Sequence, residues 1–207
     1  VMIDSLLANL PKAVPADELL RASGMDPARI AGSYGVVTLH RPSNVDHAET
    51  LSSIVDALAT IARKLPLVFA LHPRTRNNLE RFGMLERLDH PGFVMLPPQG
   101  YLQMLGLMSG AVMVLTDSGG IQEETTALGV PCLTIRENTE RPITVEQGTN
   151  TLVGVDPRTL IEVAEGILAS GGKRGRVPEC WDGRAAERIA AHLARWFEMH
   201  EQGADAS

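Results

Sequence analysis

Ala111-Val112-Met113-Val114-Leu115-Thr116-Asp117-Ser118-Gly119-Gly120-Ile121-Gln122-Glu123-Glu124 decides how the rest of the chain is read. Residues 111–115 are an uninterrupted apolar run, the pattern of a strand covered on both faces, as in a parallel sheet. Ile121, Thr125 and Leu128 then mark a short helical stripe that stops at Gly129. The stretch is therefore a strand, a tight glycine turn and a helix N-terminus. The first turn of a helix has free N–H groups and about half a positive charge. Gly119 and Gly120 lack the Cβ atoms that would hold an anion away from the backbone, and Ser118 places a hydroxyl at the cap. Together they form an anion seat suited to a phosphate. Glu124 lies nearly two turns further on, too deep to cap the helix. If it faces the ligand, its use is to accept hydrogen bonds from a sugar diol; otherwise it belongs to a solvated helix face.

Working outward, the same alternation recurs. Gly35–Leu39 reads as the first strand, ending in His40-Arg41-Pro42. Asp46 with Glu49 matches a capping box, and Leu51, Ile54, Val55, Leu58 and Ile61 follow helical spacing up to Pro66. Leu67–Leu71 is a second strand, stopped at His72-Pro73-Arg74, and a helix is expected over Asn77–Leu88. Phe93–Leu96 is the third strand, closed by Pro97-Pro98-Gln99-Gly100. Beyond the central strand come Cys132–Ile135, a short helix at Ile143–Gln147, Thr151–Val155, and a helix capped by Asp156-Pro157. Asp182 is expected to start a last helix striped by Ile189, Leu193, Trp196 and Phe197. Strands alternating with helices predict an α/β fold, a doubly wound, Rossmann-like parallel sheet. The expected organisation is a connector over residues 1–33, read as linker rather than core, a Rossmann-like unit over 34–181, a last helix over 182–202, and a disordered tail over 203–207.

In such sheets ligands bind at the carboxyl ends of the strands. His40, Arg41, His72, Arg74, Gln99, Ser118, Glu124 and Arg141 all fall at those ends or just beyond them. His40 is either a proton donor or phosphate ligand, or a hydrogen-bonded structural histidine. Arg141 either pairs with a diphosphate or with Glu137 or Glu140. Gln99 either reads a base or fills a turn, and Tyr101 is expected in the core. No GxGxxG follows the first strand, which argues against a dinucleotide cofactor.

Composition narrows the classes. The chain of 207 residues is 44% hydrophobic and 21% charged, an ordinary globular balance. A net charge of −6 argues against binding nucleic acid by phosphate neutralisation. No apolar stretch approaches a membrane span, and the opening residues carry no secretory pattern. Cys132 and Cys180 have no metal-ligand spacing, and free thiols in a reducing cytoplasm are expected. The opening at Val1 suggests a fragment.

Thr38-Leu39-His40-Arg41-Pro42, Pro98-Gln99-Gly100-Tyr101-Leu102, Thr116–Glu124, Thr139-Glu140-Arg141-Pro142 and Thr149–Gly154 occur in an order that resembles the C-terminal part of the non-hydrolysing UDP-N-acetylglucosamine 2-epimerases. The resemblance spans roughly residues 34–155. It implies the C-terminal half of a type-B glycosyltransferase (GT-B) fold, with the last helix crossing back toward an N-terminal domain this chain lacks. It also implies that Ser118, Gly119 and Gly120 hold the UDP phosphates and that Glu124 binds the ribose. Gln99 and the main chain at Met104 would meet the uracil, and Arg141 and His40 would face the diphosphate and sugar. The family reaction inverts C2 of UDP-GlcNAc to give UDP-ManNAc, by elimination and re-addition of UDP. It needs no metal and no nicotinamide, takes place in the cytoplasm, and in the full enzyme is carried out by a homodimer. Alternatives are a glycosyltransferase donor-binding domain, a hydrolysing 2-epimerase, or a binding module without chemistry.

Overall fold

The computed structural model describes residues 1–204, and their side chains as far as residue 200. Six strands form one parallel sheet: β1 (Gly35–Thr38), β2 (Leu67–Ala70), β3 (Phe93–Leu96), β4 (Met113–Thr116), β5 (Cys132–Thr134) and β6 (Asn150–Leu152). Their spatial order is β3-β2-β1-β4-β5-β6, the doubly wound order expected of a Rossmann-like sheet. The order reverses between β1 and β4. These two strands pair in register, Thr38 opposite Thr116, so whatever follows each of them emerges side by side.

The described residues also form ten α-helices: α1 (Met2–Asn9), α2 (Ala16–Ala22), α3 (Pro42–Val45), α4 (Ala48–Ala62), α5 (Pro73–Arg81), α6 (Tyr101–Ser109), α7 (Gly119–Leu128), α8 (Pro142–Glu146), α9 (Pro157–Ser170) and α10 (Ala185–Ala204). Strand side chains alternate between faces, and each face has its own core. Val37, Phe69, Leu115 and Leu133 point into a layer completed by Ile54 and Leu58 of α4 and Leu160 and Ala164 of α9. Val36, Val68, Val94 and Val114 point into the opposite layer, with Leu20 of α2 and Leu107 and Met108 of α6. Apolar residues at both alternate positions explain why the strands read as continuous hydrophobic runs.

Several local expectations change in the folded chain. Residues 1–33 add to the core rather than only linking: Leu6 and Leu20 are fully buried, and Val14 donates its N–H to Leu102 O of α6. Gly106 permits that approach, since a Cβ there would collide with the Val14 carbonyl. The helix expected over Asn77–Leu88 starts earlier, at Pro73, and ends at Arg81. Gly83 adopts φ +65°, and a 3₁₀ turn follows over Leu85–Leu88. Asp46 does not cap α4, whose N-cap is His47. Its carboxylate instead accepts from Arg74 and from Asn78 of α5. Likewise α10 begins after Asp182, and the N–H groups of Ala185 and Ala186 are accepted by Asp4 of α1. Gly203 and Ala204, expected in a disordered tail, continue α10, and residues 205–207 lie outside the described ones. Among the described residues no helix is long and apolar enough to cross a membrane.

Candidate active site

The register of β1 and β4 builds the site's centre. The chain leaves β4 at Asp117, which is fully buried, and leaves β1 at His40 and Arg41. Asp117 accepts the backbone N–H groups of His40 and Arg41 at 3.1 and 2.9 Å and the Asn44 side-chain amide at 3.2 Å. Its Oδ1 lies 2.9 Å from His40 Nδ1. Asn44 also donates to Ile135 O after β5, so three strand ends are tied around one carboxylate. A buried charge is tolerated when it is hydrogen-bonded this fully. The hydrogen bond that the imidazole donates to Asp117 pushes His40 above its usual titration range, against the opposing effects of partial burial and the Arg41 charge.

α7 starts immediately after. Ser118 is its N-cap, but its hydroxyl makes no bond to the helix; its own N–H instead donates to Thr116 Oγ1. The cap oxygen and the first-turn amides are therefore left for something else. A Cβ added at Gly119 would come no nearer than 3.9 Å to Glu140 Oε2, and one at Gly120 would sit 3.8 Å from the Met2 side chain. Neither glycine is demanded by packing within the chain, so the bare backbone there is open in the way a bound anion would require.

Arginines ring the turn, each against a carboxylate. Buried Arg136 makes a two-pronged pair with Glu140 at 2.7 and 2.8 Å, which holds the Glu140 carboxyl down to about 2. Arg41 donates from Nε to Asp117 O and lies 3.6 Å from Glu140. Arg141 has Nε 3.0 Å from Glu123 Oε2, yet off the hydrogen-bonding direction, and neither atom has a directed partner. The pairing expected with Glu140 or Glu137 is replaced by this contact with Glu123. Arg141 Nη1 donates to Glu140 O at 3.2 Å, and at 41% Arg141 is the most exposed of the three guanidiniums.

Glu124 sits deeper in the cleft wall, 9% exposed. Burial raises its carboxyl above the ordinary range, opposed by a hydrogen bond from Tyr101. Tyr101 is accordingly not in the core: it is 42% exposed and reaches from the start of α6 onto α7. Its phenol is raised by burial and by the Glu124 charge. Gln99 precedes α6 and donates to Pro97 O. Met104 packs its side chain on the second core, and its N–H is taken by Gly100 O.

The structure thus places His40, Ser118, Gly119, Gly120, Glu124 and Arg141 around one turn, with Gln99 and Met104 beside it on the α6 flank. Asp117, Asn44 and Gln122 carry no role in the sequence reading. Gln122 is fully buried, donates to Ser118 O and accepts from Thr139 and Asn150, locking the turn to the loop that carries Arg141. A carboxylate wedged between an apolar strand and paired glycines was the available signal for Asp117; nothing local marked the other two.

The family model described as UDP-N-acetylglucosamine 2-epimerase matches residues 1–194. The chain belongs to the UDP-N-acetylglucosamine 2-epimerase family. A UDP-N-acetylglucosamine 2-epimerase of Methanocaldococcus jannaschii is 39% identical over 195 residues, covering 93% of this chain and 52% of that protein. A UDP-2,3-diacetamido-2,3-dideoxy-D-glucuronate 2-epimerase of Pseudomonas aeruginosa is 38% identical over 82% of this chain and 47% of that protein. Among solved structures, the M. jannaschii UDP-GlcNAc 2-epimerase in complex with UDP-GlcNAc and UDP superimposes with a TM-score of 0.76 at 37% identity. That match covers 92% of this chain and 53% of the other. The chain spans about half the length of the epimerase-family relatives it matches.

Proposed function

We propose that this chain is the UDP-binding, C-terminal part of a UDP-N-acetylglucosamine 2-epimerase that interconverts UDP-GlcNAc and UDP-ManNAc. The observation that carries the reading is the start of α7. Its cap hydroxyl is unspent, its two glycines are open, and a buried carboxylate, Glu124, lies on the same helix. The diphosphate sits on the amides of Gly119 and Gly120 and on Ser118, and the ribose hydroxyls donate to Glu124. Gln99 meets the uracil together with the main chain at Met104. Arg141 turns from Glu123 to the diphosphate, and His40 faces the diphosphate and sugar.

The reaction eliminates UDP across C1–C2 of the sugar to give a 2-acetamidoglucal, and re-adds it with the opposite configuration at C2. Departure of UDP builds negative charge on the β-phosphate. The helix N-terminus and Arg141 stabilise that charge in place, without reorganising. The acid and base that move the C2 proton belong to the N-terminal domain, so this chain alone binds UDP and turns over little or nothing. The full enzyme is read as a cytoplasmic homodimer serving polysaccharide biosynthesis.

Titrating UDP into this chain by calorimetry tests the reading: 1:1 binding supports it, and no heat of binding at millimolar UDP overturns it. Joining the chain to an N-terminal domain and following the products by NMR separates epimerisation from sugar transfer and from release of free sugar.

A further inference from the structure

We propose that Asp117 is the positioning residue of His40, holding the imidazole by Nδ1 so that Nε2 is the edge offered to the ligand. This rests on His40 facing the diphosphate and sugar, as read above, and adds what sets its orientation and proton state. Asp117 Oδ1 is 2.9 Å from His40 Nδ1, and the same carboxylate accepts the His40 backbone N–H. Side chain and main chain of one residue are therefore held by one buried group, which leaves the ring little freedom to turn. The carboxylate is itself immobile, pinned by the Arg41 N–H and by Asn44. The His40 side chain remains 40% exposed. With Nδ1 occupied on the buried side, Nε2 is left for a ligand.

A carboxylate on Nδ1 selects the tautomer that carries hydrogen there and stabilises the imidazolium when it forms. The charged groups around the ring are Asp117 and Arg41, the latter acting against the imidazolium. His72 lies with its ring centre 5.6 Å away. Asp117 outweighs them in the direction it moves His40. A protonated histidine can give a hydrogen bond or a proton from Nε2 to an anionic oxygen. A neutral one with Nδ1–H could only accept there.

The test is nitrogen-15 NMR of the histidine side chains of this chain across a pH titration, with His40 assigned by its loss in His40→Gln. The expected wild-type result is a neutral His40 in the Nδ1–H form, titrating above the ordinary histidine range. In Asp117→Asn the titration should fall, and the tautomer preference should weaken. A wild-type His40 in the Nε2–H form, or a titration unchanged in a folded Asp117→Asn, overturns the proposal. If Asp117→Asn does not fold, the wild-type tautomer still decides. UDP calorimetry on the same wild-type sample reports separately on the binding reading, since the His40–Asp117 pair is read without ligand.

Discussion

Glu124 must be ionised to accept hydrogen bonds from two hydroxyls, and burial makes that ionisation harder. Glu124→Ala should weaken UDP binding by about 1.5–3 kcal/mol for each bond lost, read by calorimetry. Because the carboxyl is raised, it picks up its proton at a higher pH than an ordinary glutamate. UDP affinity should therefore begin to fall, as pH is lowered, before an exposed glutamate would titrate. Glu124→Gln should flatten that part of the profile. His40 shifts the other way in charge: its protonated form is favoured in the fold. Its pairing with Asp117 thus stabilises the fold below the ordinary histidine range, and that contribution is lost as pH rises through the raised titration. In a protein carrying both halves of the cleft, His40→Ala should slow turnover by about 10²–10⁴-fold if it moves protons. Wild-type turnover in that variant would leave His40 a structural role only.

At the scale of elements, α7 is held at both ends. Its C-terminus closes on Gly129 at φ +72°, a left-handed position that glycine adopts without strain. Its N-terminus is held from behind by Gln122, through Thr139 and Asn150, and Asn150 also binds Thr134 of β5 and Thr144 of α8. Gln122→Leu fills the space but removes the acceptor shared by Thr139 and Asn150. Leaving buried donors unmatched costs about 1–3 kcal/mol. Denaturant unfolding should show a loss of that order. UDP affinity should fall further than stability alone explains, because the loop bearing Arg141 is released.

Over the whole molecule, α10 stands apart. Ile189, Leu193, Trp196 and Phe197 form the expected stripe, yet each is exposed, Trp196 by 43% and Phe197 by 54%. Trp196 packs edge-on to Phe197 with ring centres 5.1 Å apart and stacks on His200 with ring centres 4.0 Å apart, so these exposed rings of α10 cover one another. A helix crossing to a second domain, as proposed for α10, would present an apolar cluster of this kind. In a Trp181→Phe background, Trp196 fluorescence should be red-shifted and readily quenched by acrylamide. Addition of an N-terminal domain should protect it. A blue-shifted, poorly quenched Trp196 in this chain alone would contradict the exposed stripe.

What the sequence determined by itself is what depends on neighbours along the chain. Apolar runs, their spacing and the proline and glycine stops gave the six strands and the helices around them. The strand, tight turn and helix start around Ser118-Gly119-Gly120 were legible because they need only local geometry. The tertiary structure alone decided what depends on which strands lie side by side. His40 meets Asp117 because β1 pairs with β4, a partnership across 77 residues. Asp4 serves the start of α10 from 181 residues away, while Asp46 was drawn to Arg74 and Asp182 accepts the Arg184 N–H just before α10 and pairs with Arg188. Tyr101 left the expected core for Glu124 because α6 and α7 pack together. A side chain's options are written in its type; which option is taken depends on which partner the fold brings within about 3 Å.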